Sequence, residues 1–379
     1  MSTNPLKQLS ELGQSIWYDY IRRDLYEGTE LKRMIEEDGL GGMTSNPSIF
    51  QKAIANSDLY DEDIQRLVGQ HKAPATIFEK LAVVDVQHAA DAFRPVYDAQ
   101  NGNDGFVSIE VGPHLAHDTQ GTIDEARRLW NECDRPNMMI KIPGTKAGLP
   151  AIRTCLGEGI NINITLLFSV ERYMEVMEAY AGALEDRLTA GKPIDKVRSV
   201  ASFFVSRVDS NTDKQLDAIA KDKSRSEDDR RLARELRGKL AIANAKLAYE
   251  EFEKFIATDR YKKLEKQGAA LQRPLWASTS TKDPAYPDIY YVDTLVAEHT
   301  VNTLPPETFD AYRDHGKPAI RIKDDMDDAH AVFTQLKALK VSVADITQEL
   351  EDEGVKKFAD AYDGLLATID EKLKALNVA

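Results

Sequence analysis

The sequence predicts an α/β chain folded as a (β/α)8 barrel of the TIM type, with extra helices and a C-terminal helical extension. Three observations carry this. Short apolar runs alternate with longer helical patterns eight times along the chain. Most of the runs lack apolar/polar alternation, as expected of parallel strands covered on both faces. No Gly-x-Gly-x-x-Gly follows any run, which leaves a doubly wound open sheet as the second choice.

The expected strands, in order, are "SIWYDYI" (15–21), "GGMTSN" (41–46), "GFVSIEV" (105–111), "NMMIKIP" (137–143), "NINITLLF" (161–168), "RSVASFFV" (198–205), "PLWAST" (274–279) and "IYYVDTLV" (289–296). The "GLGG" at 39–42 has no lysine and no helix start after it, so it reads as a tight turn into the second strand. Helices fill the gaps. Thr76 with Glu79 and Thr122 with Glu125 fit the capping-box pattern. Leu149, Ile152 and Leu156 recur at helical spacing, as do Tyr173, Val176, Met177, Tyr180 and Leu184. The charge-rich stretch 211–256 reads as exposed helix, inserted as a pair before the seventh strand. The barrel is thus expected over 1–305. In the tail, Val355, Phe358, Ala359, Tyr362, Leu365, Leu366, Ile369 and Leu373 step by three or four. Residues 306–379 therefore read as a helical extension packed on the barrel.

Composition narrows the function. The 379 residues carry a formal charge of −14, which disfavours generic binding to nucleic acid or anionic membrane. No apolar run reaches the ~18–20 residues needed to span a bilayer. The N-terminal "MSTNPLKQLSELG" lacks the apolar core of a secretion signal. Cys133 and Cys155 form neither a CxxC pair nor a disulfide framework, so a reducing cytoplasm is expected. A monomer or homodimer is the expected assembly.

In a barrel of this kind, chemistry gathers at the carboxyl ends of the strands. Polar residues sit there in unusual number: Asp19, Asn46, Glu110, Lys141, Asn163, Thr165 and Ser202. Burying polar groups costs free energy unless they are paired, so their convergence on one mouth argues for function over packing. Lys141 is the sharpest signal, a cation between Ile140 and Ile142. Loss of hydration disfavours an ammonium and frees the amine as a nucleophile. An amine attacking a ketone or aldehyde forms a Schiff base, which is an electron sink for C–C cleavage. The alternatives are a lysine directed outward, or a structural ion pair with Glu110 or Asp19.

Asp19 and Glu110 are placed to divide the proton transfers, one at the substrate hydroxyl and one at the water of imine chemistry. Salt bridges to arginines such as Arg22 are the alternative. Thr165 and Asn163 suit that water and the substrate hydroxyls, against plain strand-end capping. Arg207, beyond the sixth strand, suits a phosphate, as do Ser278, Ser280 and Lys282 beyond the seventh. An ion pair between Arg207 and Asp209 is the competing reading. His114, His117 and Asp118 resemble a loose metal cluster without a third good ligand and read as loop residues.

"MTSNPSIF", "SIEVGPHLAHDT", "IKIPGT", "NINITLLFS", "SFFVSRVD" and "WASTSTKDPAY" occur in order and together resemble the transaldolase family, in its longer bacterial branch. The likeness spans roughly 15 to 305. It implies one barrel, no cofactor, and reversible transfer of a dihydroxyacetone unit in the non-oxidative pentose phosphate pathway. The implied donors are sedoheptulose 7-phosphate or fructose 6-phosphate, and the implied acceptors erythrose 4-phosphate or glyceraldehyde 3-phosphate. By motif the Schiff-base lysine falls on Lys141 and the acid/base aspartate on Asp19. Glu110 and Thr165 match the pair that positions water. Asn46, Asn163 and Ser202 match substrate contacts, and Arg207 a phosphate ligand. One departure stands out. Shorter family members read Ala-Ser-x-Arg where this chain has Ala277-Ser278-Thr279-Ser280, so Lys282 is the expected substitute cation. A Schiff-base aldolase releasing free dihydroxyacetone, a metal-dependent aldolase or isomerase, and a non-catalytic sugar-phosphate sensor are the competing functions.

Overall fold

The computed structural model describes residues 4–68 and 73–375. Eight parallel strands close on themselves in chain order: β1 (Gln14–Asp19), β2 (Gly42–Thr44), β3 (Phe106–Glu110), β4 (Met138–Pro143), β5 (Ile162–Leu167), β6 (Ser199–Phe204), β7 (Gln272–Ala277) and β8 (Thr300–Leu304). The closing pair joins Gln14 to Thr300 and Tyr18 to Leu304. Burial on both faces explains the missing alternation in the sequence: every residue of β4, β5 and β6 is buried. Successive side chains still point to opposite faces. In β4, Ile140 and Ile142 are fully buried on the helix side, which turns Lys141 into the barrel.

Register brings polar residues level with one another. Glu110 pairs with Lys141, and Lys141 with Asn163, across three adjacent strands. Asp19 pairs with Thr44. The β5–β6 ladder breaks between Ile164 and Leu167, where Leu166 takes φ +60°. Such a backbone is unfavourable for a leucine, and bulges of this kind collect beside active sites.

Three expectations fail. The segment 289–296 is not the eighth strand. It holds a short helix, Tyr290–Thr294, and the strand is Thr300–Leu304. Tyr291 fixes that helix by donating from its hydroxyl to the buried Asp209 at 2.9 Å. The true β8 escaped notice because "TVNTL" is mostly polar. Its Thr303 hydroxyl bonds Thr44, and Asn302 accepts from Thr279, both inside the structure. The two capping boxes also fail. Their helices start earlier, at Pro74 and Thr119, and Asp118 supplies the second cap by accepting from Gly121 N at 3.0 Å. Finally, 211–256 is not uniformly exposed. Its helix Leu240–Ile256 is buried along much of its length, Ala241, Ala245, Ala248 and Phe252 included.

Past β8 come helices Pro306–His315, Met326–Ala338 and Val343–Ala375. The last has 33 residues and runs about 50 Å at 1.5 Å per residue. It lies across the mouth of the barrel, against helices Pro47–Ala55, Pro74–Ala99 and Ser206–Lys221 and against β5. Gly354 permits the close approach: a Cβ there would sit 2.9 Å from Leu166 Cδ2, on the bulge of β5. Among the described residues no helix is long and apolar enough to cross a membrane.

Candidate active site

A cavity of about 470 Å³ opens at the carboxyl ends of the strands. Asp19, Asn46, Lys141, Thr165, Ser202, Arg207, Ser278 and Lys282 all line it, as does Ser280. Glu110 and Asn163 are not part of its wall, yet both touch groups that are.

Lys141 is 5% exposed and directed inward. Its Nζ lies 3.7 Å from Glu110 Oε2 and donates to Ser45 O at 3.3 Å. The first separation is an ion pair, too long for a direct hydrogen bond. Of the alternatives for this lysine, the outward one is removed and the pair with Glu110 is present. The Phe358 ring, from helix Val343–Ala375, has its centroid 5.6 Å from Nζ.

The two acids differ in what holds them. Asp19 Oδ1 accepts from Thr44 Oγ1 at 2.7 Å. Burial pushes its carboxyl above the usual range, against the pull of Lys141 and the Thr44 bond. Glu110 is pushed up to about 7 by burial, with Lys141 opposing and Asp19 adding to the rise. Neither oxygen of Glu110 makes a hydrogen bond among the described residues, and neither does Thr165 Oγ1. Buried polar atoms normally find partners, so all three atoms have capacity left for a bound water. Arg22 takes no part, since it pairs with Asp24 at 2.6 Å.

The raised Glu110 titration is also a stability statement. Its ordinary value is 4.5 and its folded value about 7, so the fold favours the protonated form. That contribution is complete below about pH 4.5 and is lost as pH rises through about 7. Glu110→Gln cannot ionise. Relative to the native chain it is expected to gain roughly 3 kcal/mol in unfolding free energy between about pH 4 and about pH 8. Denaturant titrations at the two pH values measure this, and an unchanged difference between the two proteins would contradict it.

Asn163 is the hub of a chain of bonds beneath the cavity. Its Nδ2 donates to Ser108 Oγ at 3.1 Å, and its Oδ1 accepts from Ser202 Oγ at 2.7 Å. These bonds fix the height of Ser202 at the wall. Asn46 spends its Oδ1 on capping helix Pro47–Ala55, accepting from Ile49 N at 3.1 Å.

Cations gather on the opposite side. Arg207 stacks on Phe204, 5.6 Å from its ring centroid. It faces Glu353 and Asp19, and burial lowers its titration. It does not pair with Asp209, which instead accepts from Ala241 N at 2.8 Å and from Tyr291. Lys282 Nζ donates to Ser280 Oγ at 2.6 Å. Burial lowers its titration, with Glu307 opposing and Arg207 reinforcing. Ser278 holds φ +55° and shares a 3.1 Å hydroxyl contact with Ser206.

Sequence reasoning missed Lys52 and Phe358, both on the cavity wall. Lys52 follows Ser48 by one helical turn on the helix after "TSNP", and that i, i+4 pair was the available signal. Phe358 carried none, since its stripe reads as packing. His114 bonds Asp363 at 2.8 Å on helix Val343–Ala375. Among the described residues no metal-ligand cluster occurs.

A closed parallel barrel with a buried lysine beside one carboxyl and sharing its cavity with another, in a sugar-sized and partly cationic site, has the make-up of an enzyme of the aldolase class. A family profile described as Transaldolase/Fructose-6-phosphate aldolase matches residues 16–369. "Transaldolase 2" of a Nostoc species is 47% identical, over 100% of both chains. "Transaldolase" of Trichodesmium erythraeum is 46% identical over 99% of each, and that of Thermobifida fusca 45% over 98% of this chain and 99% of its own. The chain belongs to the transaldolase/fructose-6-phosphate aldolase family, as an enzyme of the transaldolase kind.

Proposed function

We propose that this chain transfers a dihydroxyacetone unit from a ketose phosphate to an aldose phosphate through an imine on Lys141. The observation that carries the reading is the placement of Lys141 Nζ: buried, inside the cavity, and 3.7 Å from Glu110 Oε2. Sedoheptulose 7-phosphate or fructose 6-phosphate is the donor, and erythrose 4-phosphate or glyceraldehyde 3-phosphate the acceptor. The reaction belongs to the non-oxidative pentose phosphate pathway.

Lys141 attacks the ketose C2, and the carbinolamine loses water to become an iminium. Glu110 and Thr165 hold that water on oxygens that make no hydrogen bond of their own, and a carboxyl that titrates near neutrality both gives and takes its proton. Asp19 takes the C4 hydroxyl proton as the C3–C4 bond breaks, and its electrons pass into the iminium as an enamine. The aldose phosphate leaves. Enamine C3 then attacks the acceptor aldehyde, and the steps reverse. Every proton and electron pair is carried by side chains or sugar, so the cycle uses no cofactor. Asn46, Asn163 and Ser202 serve the sugar hydroxyls, Asn163 by way of Ser202. Arg207, Lys282, Ser278 and Ser280 hold the phosphate, and Lys52 adds a further positive charge to the mouth.

The compartment in this reading is the cytoplasm. The partners are sugar phosphates, not nucleic acid or membrane, and the protein is a monomer or homodimer. Mixing enzyme, fructose 6-phosphate and erythrose 4-phosphate tests the reading. The expected products are sedoheptulose 7-phosphate and glyceraldehyde 3-phosphate in equal amounts. Release of free dihydroxyacetone at the same rate with or without acceptor would instead mark a simple aldolase.

A further inference from the structure

Helix Val343–Ala375 belongs to none of the eight strand–helix units, yet it places an aromatic ring on the cavity wall, beside Tyr20 and Phe204 from the barrel. Phe358 is 7% exposed, lines the cavity and faces Nζ with its ring. Two features set its height. Gly354, one turn earlier, rests on Leu166 at the bulge of β5, next to Thr165. The helix is also tied at both ends: Asn211 Nδ2 donates to Glu349 Oε2 at 3.2 Å, and Lys372 pairs with Asp61 at 2.6 Å.

We propose that Phe358 is a specificity-determining residue, which decides whether the three-carbon intermediate on Lys141 passes to an acceptor aldehyde or to water. The inference rests on the imine reading above. Release of dihydroxyacetone needs the enamine to take a proton on C3, regenerating the iminium. One water then adds across the C=N bond, the C–N bond breaks, and the lysine nitrogen leaves with the proton that balances the step. Each stage consumes water or a proton at the reacting carbon. An apolar ring beside Nζ denies a second water a hydrogen-bonding site there. The first stays fixed by Glu110 and Thr165. The ring face also favours a cation at that distance, which steadies the iminium without hydrating it. Exclusion of water from reactive intermediates is a known use of a closed site.

The test compares free dihydroxyacetone released from fructose 6-phosphate alone with transfer to erythrose 4-phosphate. Phe358→Ala leaves space for about two or three waters, each taking roughly 30 Å³. It is expected to raise the ratio of release to transfer by about tenfold, which corresponds to about 1.4 kcal/mol between the two barriers. Phe358→Leu, apolar and larger, returns the ratio toward the native value. Gly354→Val touches no substrate but wedges the helix off Leu166, and is expected to move the ratio in the same direction as Phe358→Ala. If the alanine variant does not fold, Phe358→Leu and Phe358→Val give a graded series read the same way. Release and transfer falling by one common factor would overturn the proposal, because a purely structural ring lowers both alike. Trapping of the lysine adduct with borohydride is scored separately in the native chain. Its absence there would overturn the imine reading and this inference with it, whereas an intact adduct with an unmoved ratio overturns this inference alone.

Discussion

Lys141→Ala is expected to lower kcat for dihydroxyacetone transfer by about five to six orders of magnitude, the scale seen when a covalent nucleophile is removed. The fold is expected to survive. Lys141 gives the structure one 3.3 Å bond to a carbonyl and one ion pair, and its side chain borders an open cavity. Truncation therefore opens little new internal void, unlike a deletion in a sealed core. Glu110 loses the cation that holds its titration down, so its carboxyl titrates higher still. Lys141→Arg is expected to be as inactive as the alanine variant, since a guanidinium keeps the charge but cannot serve as a nucleophile. Steady-state kinetics on both variants, with unfolding curves alongside, check this. Substantial activity in Lys141→Arg would mean that the lysine acts by charge alone.

Asp19→Asn is expected to lower kcat by about two to four orders of magnitude, the usual worth of a positioned acid/base. The replacement is nearly isosteric. The amide oxygen can still accept from Thr44, so the local network of Asp19, Thr44 and Thr303 persists. The deficit lies in one step. Imine formation uses Lys141 and Glu110 and proceeds, while C3–C4 cleavage lacks a base. The variant should therefore accumulate the intact ketose on the enzyme. Borohydride reduction followed by mass analysis should find the whole fructose 6-phosphate skeleton bound, where the native chain carries three carbons. A three-carbon adduct formed at the native rate in Asp19→Asn would assign the cleavage proton to another group.

These expectations divide according to what a linear sequence can carry. Lys141 was legible because a charge between two isoleucines contradicts the burial its neighbours demand. Asp19 and Glu110 were legible for the same reason, as charges at the ends of apolar strands. The closed barrel followed from strand–helix alternation, which is a local pattern. What escaped was decided by long-range packing. β8 reads as loop because Asn302 and Thr303 spend their polarity on Thr279 and Thr44, partners 23 and 259 residues away in the chain. The segment 289–296 reads as strand because its tyrosines look β-forming. Its actual conformation depends on Asp209, buried by a helix elsewhere in the chain. Phe358 is one apolar residue in a stripe of many. The approach of Gly354 to Leu166 and the ties of the helix at Glu349 and Lys372 set it beside Nζ, and none of these contacts is visible in the stripe itself.

The most direct measurement is borohydride reduction in the presence of fructose 6-phosphate, followed by peptide mass mapping. A secondary amine bearing three carbons should appear on the peptide that contains Lys141, at one per chain, and be absent from Lys141→Ala. A native chain that turns over substrate yet carries no adduct on that peptide, or carries it on a different lysine, would contradict the covalent role given to Lys141.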